Sequence, residues 1–498
     1  MASHHYLACD LGAESGRLMC GTLSEDPPSL RLEEIHRFPN TPVRAHGSLH
    51  WNVRELFEQL RLGLEKAATL KRSLGGISTD SWGLDYVLLD AEGRVMEPAF
   101  HYRDPRTRRG MERVHARMDP AALYRETGIQ IMPFNTLYQL AAEPPERLAA
   151  ADRLVLIGDA FNFHLSGVAR SEVSLASTSQ LYNPVTRDWS STLLETFNLP
   201  ARLLPPIVPS GTPLGPLRPE LARATGLGPV PVLASCSHDT GAAVAAVPAS
   251  DGHWGYISSG TWSLMGVECG APVLTETSRR LNFTNEVGYG GTIRLLKNII
   301  GLWLVQECRR AWASAGRPLD YDALTEMASK AAPFQSLIDP EDPRFIPPGD
   351  MPVRIRECCR ETGEPEPDSE GALVRCILES LAFLYRRTAR QLGELTGRPL
   401  ERVHIIGGGS RNALLNQFTA NALGIQVWAG PVEATAMGNM LVQALAQGHL
   451  RSLPDARQRV EASGGLRVFE PEQTALWDQA HERFESLCRA RRIREADA

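Results

Sequence analysis

Tyr6–Ser24 reads YLACDLGAESGRLMCGTLS, the pattern of a buried strand, a glycine-bearing turn and a return strand. The apolar run from Tyr6 ends at Asp10, Gly12 and Gly16 bracket the turn, and Leu18 resumes the apolar pattern. A second stretch, Trp254–Glu268 (WGYISSGTWSLMGVE), repeats the design as strand, Gly–Thr turn, strand. Two such hairpins far apart in one chain predict a second lobe built on the plan of the first. Around them strands and helices alternate. Leu56, Leu60 and Leu64 fall at helical spacing and predict a helix over Val53–Arg72. GISTDSWGLDYVLLD reads strand, polar turn, strand, while RVHIIGGGS, NALLNQFTANALG, IQVWAG and ATAMGNMLVQALAQG alternate strand and helix. The fold class this predicts is α/β.

The chain's 498 residues exceed what one hydrophobic core serves. Turn residues gather in PASDGH, which places a lobe boundary near Val247–Gly252 and divides 1–247 from 248–498. RETGEPEPDSEG is expected to be an exposed loop. A net charge of -6 gives no basic field for nucleic acid or an anionic membrane. No apolar run is long enough to span a bilayer, and MASHHYLACDLG lacks the basic and apolar regions of a signal peptide, so a cytoplasmic location is expected. The nine cysteines lack paired metal spacing and are expected to be buried thiols. Whether Cys359 and Cys376 ever pair is left open by the sequence.

Several chemistries are excluded. There is no GxxxxGK[ST], and none of the four lysines follows a glycine, so the chain is not a P-loop NTPase. A protein-kinase HRD/DFG set, an HExxH zinc motif and a GxSxG nucleophile elbow are all missing.

What remains points to phosphate and hydroxyl chemistry. In DLGAESGR, Gly12 and Gly16 let backbone N–H groups approach phosphate oxygens, Arg17 can neutralise charge, and Asp10 can hold Mg²⁺ through water. An ordinary hairpin with a solvated arginine fits the octet equally. In SSGTWSL, Thr261 and its neighbours form either a second phosphate turn or a plain hairpin. HIIGGGSRNALL ends a strand in three glycines before a helix, which permits close contact with a flat ring or a phosphate, or marks a flexible loop. In TDSWGLDYVLLD, Trp82, Gly83 and Asp85 can line a polyol pocket, or Trp82 is core and Asp85 caps a turn. SHDTGAAVAAVP sets His238 and Asp239 at the mouth of a small-residue helix. Phosphoryl transfer to an alcohol needs an acceptor for the hydroxyl proton, and Asp239 fits, with Thr240 and Gly241 as nearby donors. A helix N-terminus would favour its ionised form, making helix cap and base one residue. His238 can bond a sugar hydroxyl or be a satisfied structural histidine.

These stretches, with YRD at Tyr102–Asp104, NFTNEVGYGGTIRLLKNIIGLWLVQECRR and GPVEATAMGN, resemble in order the FGGY family of carbohydrate kinases over roughly Tyr6–Gly448. The resemblance implies two ribonuclease H-like lobes of the actin, hexokinase and Hsp70 ATPase type, closing around a central cleft on ATP and Mg²⁺. It implies ATP contacts from Ala13, Glu14, Ser15, Gly16, Arg17, Thr261, Gln306 and Gly408. Sugar contacts are implied for Gly83, His238, Asp239, Thr240 and Asn298. Asp239 would take the proton from the 1-hydroxyl of L-rhamnulose, giving L-rhamnulose 1-phosphate and ADP in L-rhamnose breakdown. Glu14 departs from the pattern, since related sugar kinases often carry a small hydroxyl residue there and an acid would repel phosphate. L-fuculose or xylulose as substrate, or a sensor of ATP and sugar without catalysis, are the alternatives.

Overall fold

The computed structural model describes residues 3–26, 28–249 and 251–496, with side chains described to residue 491. The chain forms two compact units. The first takes Met1–Ser250, Glu268–Leu295 and Glu433–Gly464; the second takes Asp251–Val267, Leu296–Val432 and Gly465–Ala498. Both units are therefore discontinuous in sequence. Ser250, within the stretch read as the lobe boundary, lies outside the described residues.

In the first unit β1 (Ser3–Leu11) and β2 (Ser15–Glu25) form the opening hairpin, and β3 (Pro28–Pro39) adds to β2, all antiparallel. The strand Leu74–Ser81 lies parallel to β1 on its other side, and Pro231–Ala234 lies parallel beyond it. The helix α1 (Val53–Ala68) buries Leu56, Leu60 and Leu64 as their spacing predicts. It stops four residues before Arg72, because the Thr69 amide and hydroxyl both close back on Lys66 O and Lys71 takes a positive φ of 52°.

Both faces of this sheet are covered. Leu7, Cys9 and Leu11 join α1 in one core, while Tyr6 packs with Met440 and Ala8 with Ala436 of the helix Ala434–Ala446. Strand alternation puts Asp10 on the face of Tyr6 and Ala8, the one that helix covers. The small residues after Asp239 now have a reason. A Cβ built on Gly438 would sit 1.7 Å from the Ala242 carbonyl oxygen, so the helices Asp239–Ala245 and Ala434–Ala446 are in backbone contact.

The second unit repeats the order. Trp254–Ser259 and Trp262–Cys269 are an antiparallel hairpin with Ile293–Ile300 next to it, and Arg402–Ile406 and Gln426–Ala429 follow in parallel on the other side. Arg467–Phe469 adds an antiparallel edge. A hairpin flanked by a third strand and then two parallel strands occurs in each unit, as the two echoing stretches predict. The stretch expected to be a loop is one over 363–369 only, since helix Met351–Thr362 runs into its start and the long helix Glu370–Thr396 takes its end, and among the described residues no helix is long and apolar enough to cross a membrane. All nine cysteines are free thiols, eight of them buried.

Candidate active site

Register brings the first unit's carboxylates together. Asp10 and Asp80 are direct partners on parallel strands, so their side chains share a face. Asp80 is fully buried; its Oδ2 accepts from Asn439 Nδ2 at 2.6 Å, and its Oδ1 has no hydrogen-bond partner among the described residues. Gln443 holds Asn439 in place, donating to its Oδ1 at 2.8 Å and to the Leu7 carbonyl at 2.9 Å. Burial, and then the charge of Asp10, push the Asp80 carboxyl well above the ordinary range.

Arg17 also faces Asp10. Its Nη2 lies 2.5 Å from Asp10 Oδ2, and its Nη1 hydrogen-bonds Glu433. Read from sequence as a phosphate contact, this guanidinium is engaged by two carboxylates. In the turn itself the Gly12 amide donates to Ser15 O at 2.9 Å. A Cβ on Gly16 would fall 2.3 Å from the Phe38 ring. Gly12 thus serves the turn's own geometry, and Gly16 the packing of Phe38 from the neighbouring strand. Ala13 and Ser15 are partly exposed, Glu14 is exposed, and the Glu14 carbonyl accepts from Asn40 N.

Asp239 opens the helix Asp239–Ala245 as its first helical residue. The cap position belongs to His238, whose side chain makes no capping bond. This corrects the expectation that cap and base are one residue. Asp239 Oδ1 accepts from the amide of Thr240 and, at 3.0 Å, from its hydroxyl. Burial, followed by the charge of Asp10, pushes the Asp239 carboxyl up to about 7, against the pull of Thr240. The two turns of helix that follow are too short a dipole to outweigh those effects.

His238 is nearly buried. Its Nε2 lies 3.4 Å from Asp239 Oδ1, and its Nδ1 lies 3.0 Å from Nη2 of Arg294. Arg294 is itself fully buried and pairs with Glu286 at 3.1 Å. Gly83 completes the group: a Cβ there would lie 3.2 Å from Thr178 Oγ1 and 3.3 Å from His238 Nε2. Gly83, His238, Asp239 and Thr240 are therefore brought together. Asp80, Glu286, Arg294 and Asn439 were given no role in the reading of the sequence, although all but Asp80 and Asn439 stand in one quoted motif, NFTNEVGYGGTIRLL, and those two stand in others.

Asp85 matches neither of its two readings, since its carboxylate neither caps a turn nor is left open to a ligand. It is fully buried and accepts from Trp51 Nε1 at 2.6 Å, Trp82 Nε1 at 2.9 Å and Gln139 Nε2 at 3.0 Å. Burial lifts it to about 6 while these bonds pull it down. A carboxylate so surrounded by protein donors organises the aromatic core around it.

In the second unit, the Thr261 carbonyl accepts from Gly301 N and Trp303 N, and Leu302 N reaches Gly260 O, which docks the turn on the start of helix Trp303–Ser314. Gln306, in that helix's first turn, carries a buried Oε1 with no hydrogen-bond partner among the described residues. The three glycines divide their work. Gly407 has a φ of 80°, a Cβ on Gly409 would collide with Ser259 Oγ at 2.0 Å, and Gly408 is exposed, a Cβ built there meeting nothing within 4 Å. Asn298, on Ile293–Ile300, is partly buried.

The N-terminal domain model of the FGGY family of carbohydrate kinases matches residues 6–246, and the C-terminal domain model matches 255–447. A rhamnulokinase of Bacteroides thetaiotaomicron is 44% identical over 97% of this chain and 99% of its own. One from Bacillus subtilis is 40% identical over 94% and 95%. Among solved structures, a ligand-bound xylulose kinase from Lactobacillus acidophilus superposes with a TM-score of 0.79 at 15% identity, covering 98% of both chains. Plasmodium falciparum glycerol kinase with ADP gives 0.77 at 14%, covering 99% and 98%. With both family models matched in sequence order and the ribonuclease H-like strand order present in each unit, the chain belongs to the FGGY family of carbohydrate kinases.

Proposed function

We propose that this protein transfers the γ-phosphoryl group of ATP to the 1-hydroxyl of L-rhamnulose, giving L-rhamnulose 1-phosphate and ADP. The likeness to two rhamnulokinases over nearly the whole chain supports the substrate. The observation that carries the chemistry is Asp239, whose carboxyl is poised near neutrality beside His238. Its Oδ1 is occupied by Thr240, which leaves Oδ2 to take the hydroxyl proton as the sugar oxygen bonds to phosphorus and the bond to ADP breaks. Gly83 leaves room for a sugar against His238 and Thr178; Thr240 holds the base; Asn298 is assigned to the sugar as well. The turn Ala13–Arg17, Thr261, Gln306 and Gly408 are assigned to ATP, supported by the unsatisfied Gln306 oxygen and the open face of Gly408.

Among the described residues no group of three or more histidine, cysteine or carboxylate side chains is placed to hold a metal directly. The carboxylates of Asp10 and Asp80 suit instead a hydrated divalent cation held through water, and the unpartnered Asp80 Oδ1 fits that role. Mg²⁺ bound there would neutralise phosphate charge. Within the turn assigned to ATP, the Glu14 residue is exposed, and its contact with the nucleotide is assigned to the backbone because its carboxylate would repel phosphate. With ATP and a sugar as partners, the protein is placed in the cytoplasm.

Sugar-dependent ADP release with Mg-ATP, compared across L-rhamnulose, L-fuculose, the xyluloses, glycerol and no sugar, tests this reading. A preference for L-rhamnulose is expected. Preference for another ketose would replace the substrate and keep the chemistry, and release without sugar dependence would sink the kinase reading.

A further inference from the structure

Arg294 is completely buried, and its guanidinium meets two side chains of the same unit. Nη2 lies 3.0 Å from His238 Nδ1 and 3.1 Å from Glu286 Oε2. A guanidinium has donors only, so Nδ1 must offer it a lone pair, and a neutral imidazole then carries its single proton on Nε2. Burial and the adjacent Arg294 charge hold His238 well below its ordinary pKa, which keeps the ring neutral. Glu286 Oε2 stands 3.4 Å from the same Nδ1 and would draw a proton there if Arg294 did not come closer and pair with it. On the other edge, Nε2 faces Asp239 Oδ1 and the space left by Gly83. Arg294, Glu286 and Asp239 are the charged groups about this ring.

We propose that Arg294 is a positioning residue that fixes His238 in the Nε2–H form, making it a permanent hydrogen-bond donor beside the base. Resting on the proposed function, this assigns His238 to the substrate oxygen next to the hydroxyl that Asp239 deprotonates, which in a ketose is the oxygen on C2. The opposite tautomer would turn a lone pair toward both that oxygen and the Asp239 carboxylate. Arg294 thereby selects a substrate that accepts at that position.

The first test is the wild-type protein labelled with ¹⁵N-histidine, its His238 signals identified by their loss in His238→Gln. The expected result is a protonated Nε2 and an unprotonated Nδ1, unchanged from pH 6 to 9 as flagged by about constant shifts in a range set around the ordinary histidine pKa. A proton on Nδ1, or an imidazolium, overturns the proposal. In Arg294→Met, Glu286 is left beside Nδ1 and the proton should move there, raising KM for the sugar about tenfold with KM for ATP unchanged. Arg294→Met/Glu286→Gln supplies an amide donor to Nδ1 and should recover much of that loss. Equal losses for both substrates, or no recovery, would count against positioning. If the single variant fails to fold, the wild-type spectrum decides alone. Failure of the kinase reading would show separately, as wild-type protein that releases no ADP with any sugar.

Discussion

Arg17 Nη2 lies 2.5 Å from Asp10 Oδ2, and the same guanidinium hydrogen-bonds Glu433. Three charges close together and mostly buried depend on one another. Arg17→Met leaves two carboxylates uncompensated and is expected to cost roughly 3 kcal/mol, read as a lower unfolding midpoint in urea. Arg17→Lys should restore part of it. A midpoint equal to the wild type would remove this structural role.

The base role proposed for Asp239 predicts a pH dependence. A base must be ionised, so kcat/KM should rise with pH and level off above about 7. Asp239→Asn is expected to lose roughly 10²–10⁴-fold in kcat. The sign of its stability effect is opposite. A carboxyl whose folded pKa is raised contributes stability below the unfolded pKa that is lost as pH climbs through the folded value. Asp239→Asn should therefore melt higher than wild type at pH 8, and the difference should vanish near pH 3. A variant that keeps its turnover, or melts lower at pH 8, contradicts the assignment.

Gly83 and Asp85 are two residues apart and should behave differently. In Gly83→Ala the new methyl would press on Thr178 and His238 at 3.2–3.3 Å, tight but yielding. The expected outcome is a higher KM for the sugar with little change in melting temperature. Asp85→Asn keeps one acceptor oxygen of two, so either the two indole N–H groups or Gln139 Nε2 faces an amide donor, and it should destabilise by roughly 1–3 kcal/mol while sugar preference is retained. Steady-state kinetics and melting curves on both variants separate the roles; the reverse pattern would exchange them.

Gly408 is the glycine of its triplet that the fold does not require. Gly408→Val is expected to leave the melting temperature near wild type and to raise KM for ATP severalfold, because the side chain enters open space. Gly409→Val, against Ser259, should instead unfold the turn. Unchanged ATP kinetics in Gly408→Val would detach that residue from the nucleotide.

Much of the fold was present in local pattern. The alternation around Tyr6, its echo at Trp254 and the leucine spacing of α1 specify strands and helices because burial is periodic within each element. Asp239 was legible as a candidate for a similar reason: an acid at the start of a small-residue helix stands out in its own neighbourhood. What it touches was not. The Asp80–Asn439 bond joins residues 359 positions apart, and His238 meets Arg294 across 56.

The sequence by itself determined the α/β class, the twin hairpins and the residues that sit at strand ends, since each follows from a few neighbouring side chains. Only the tertiary structure decided that segments 268–295 and 433–464 return to the first unit, that Arg17 is held by carboxylates, that Asp85 belongs to the aromatic core and that His238 meets Arg294. Those outcomes depend on which buried donors and acceptors meet once the chain is packed, and a buried polar group takes whichever partner the fold delivers.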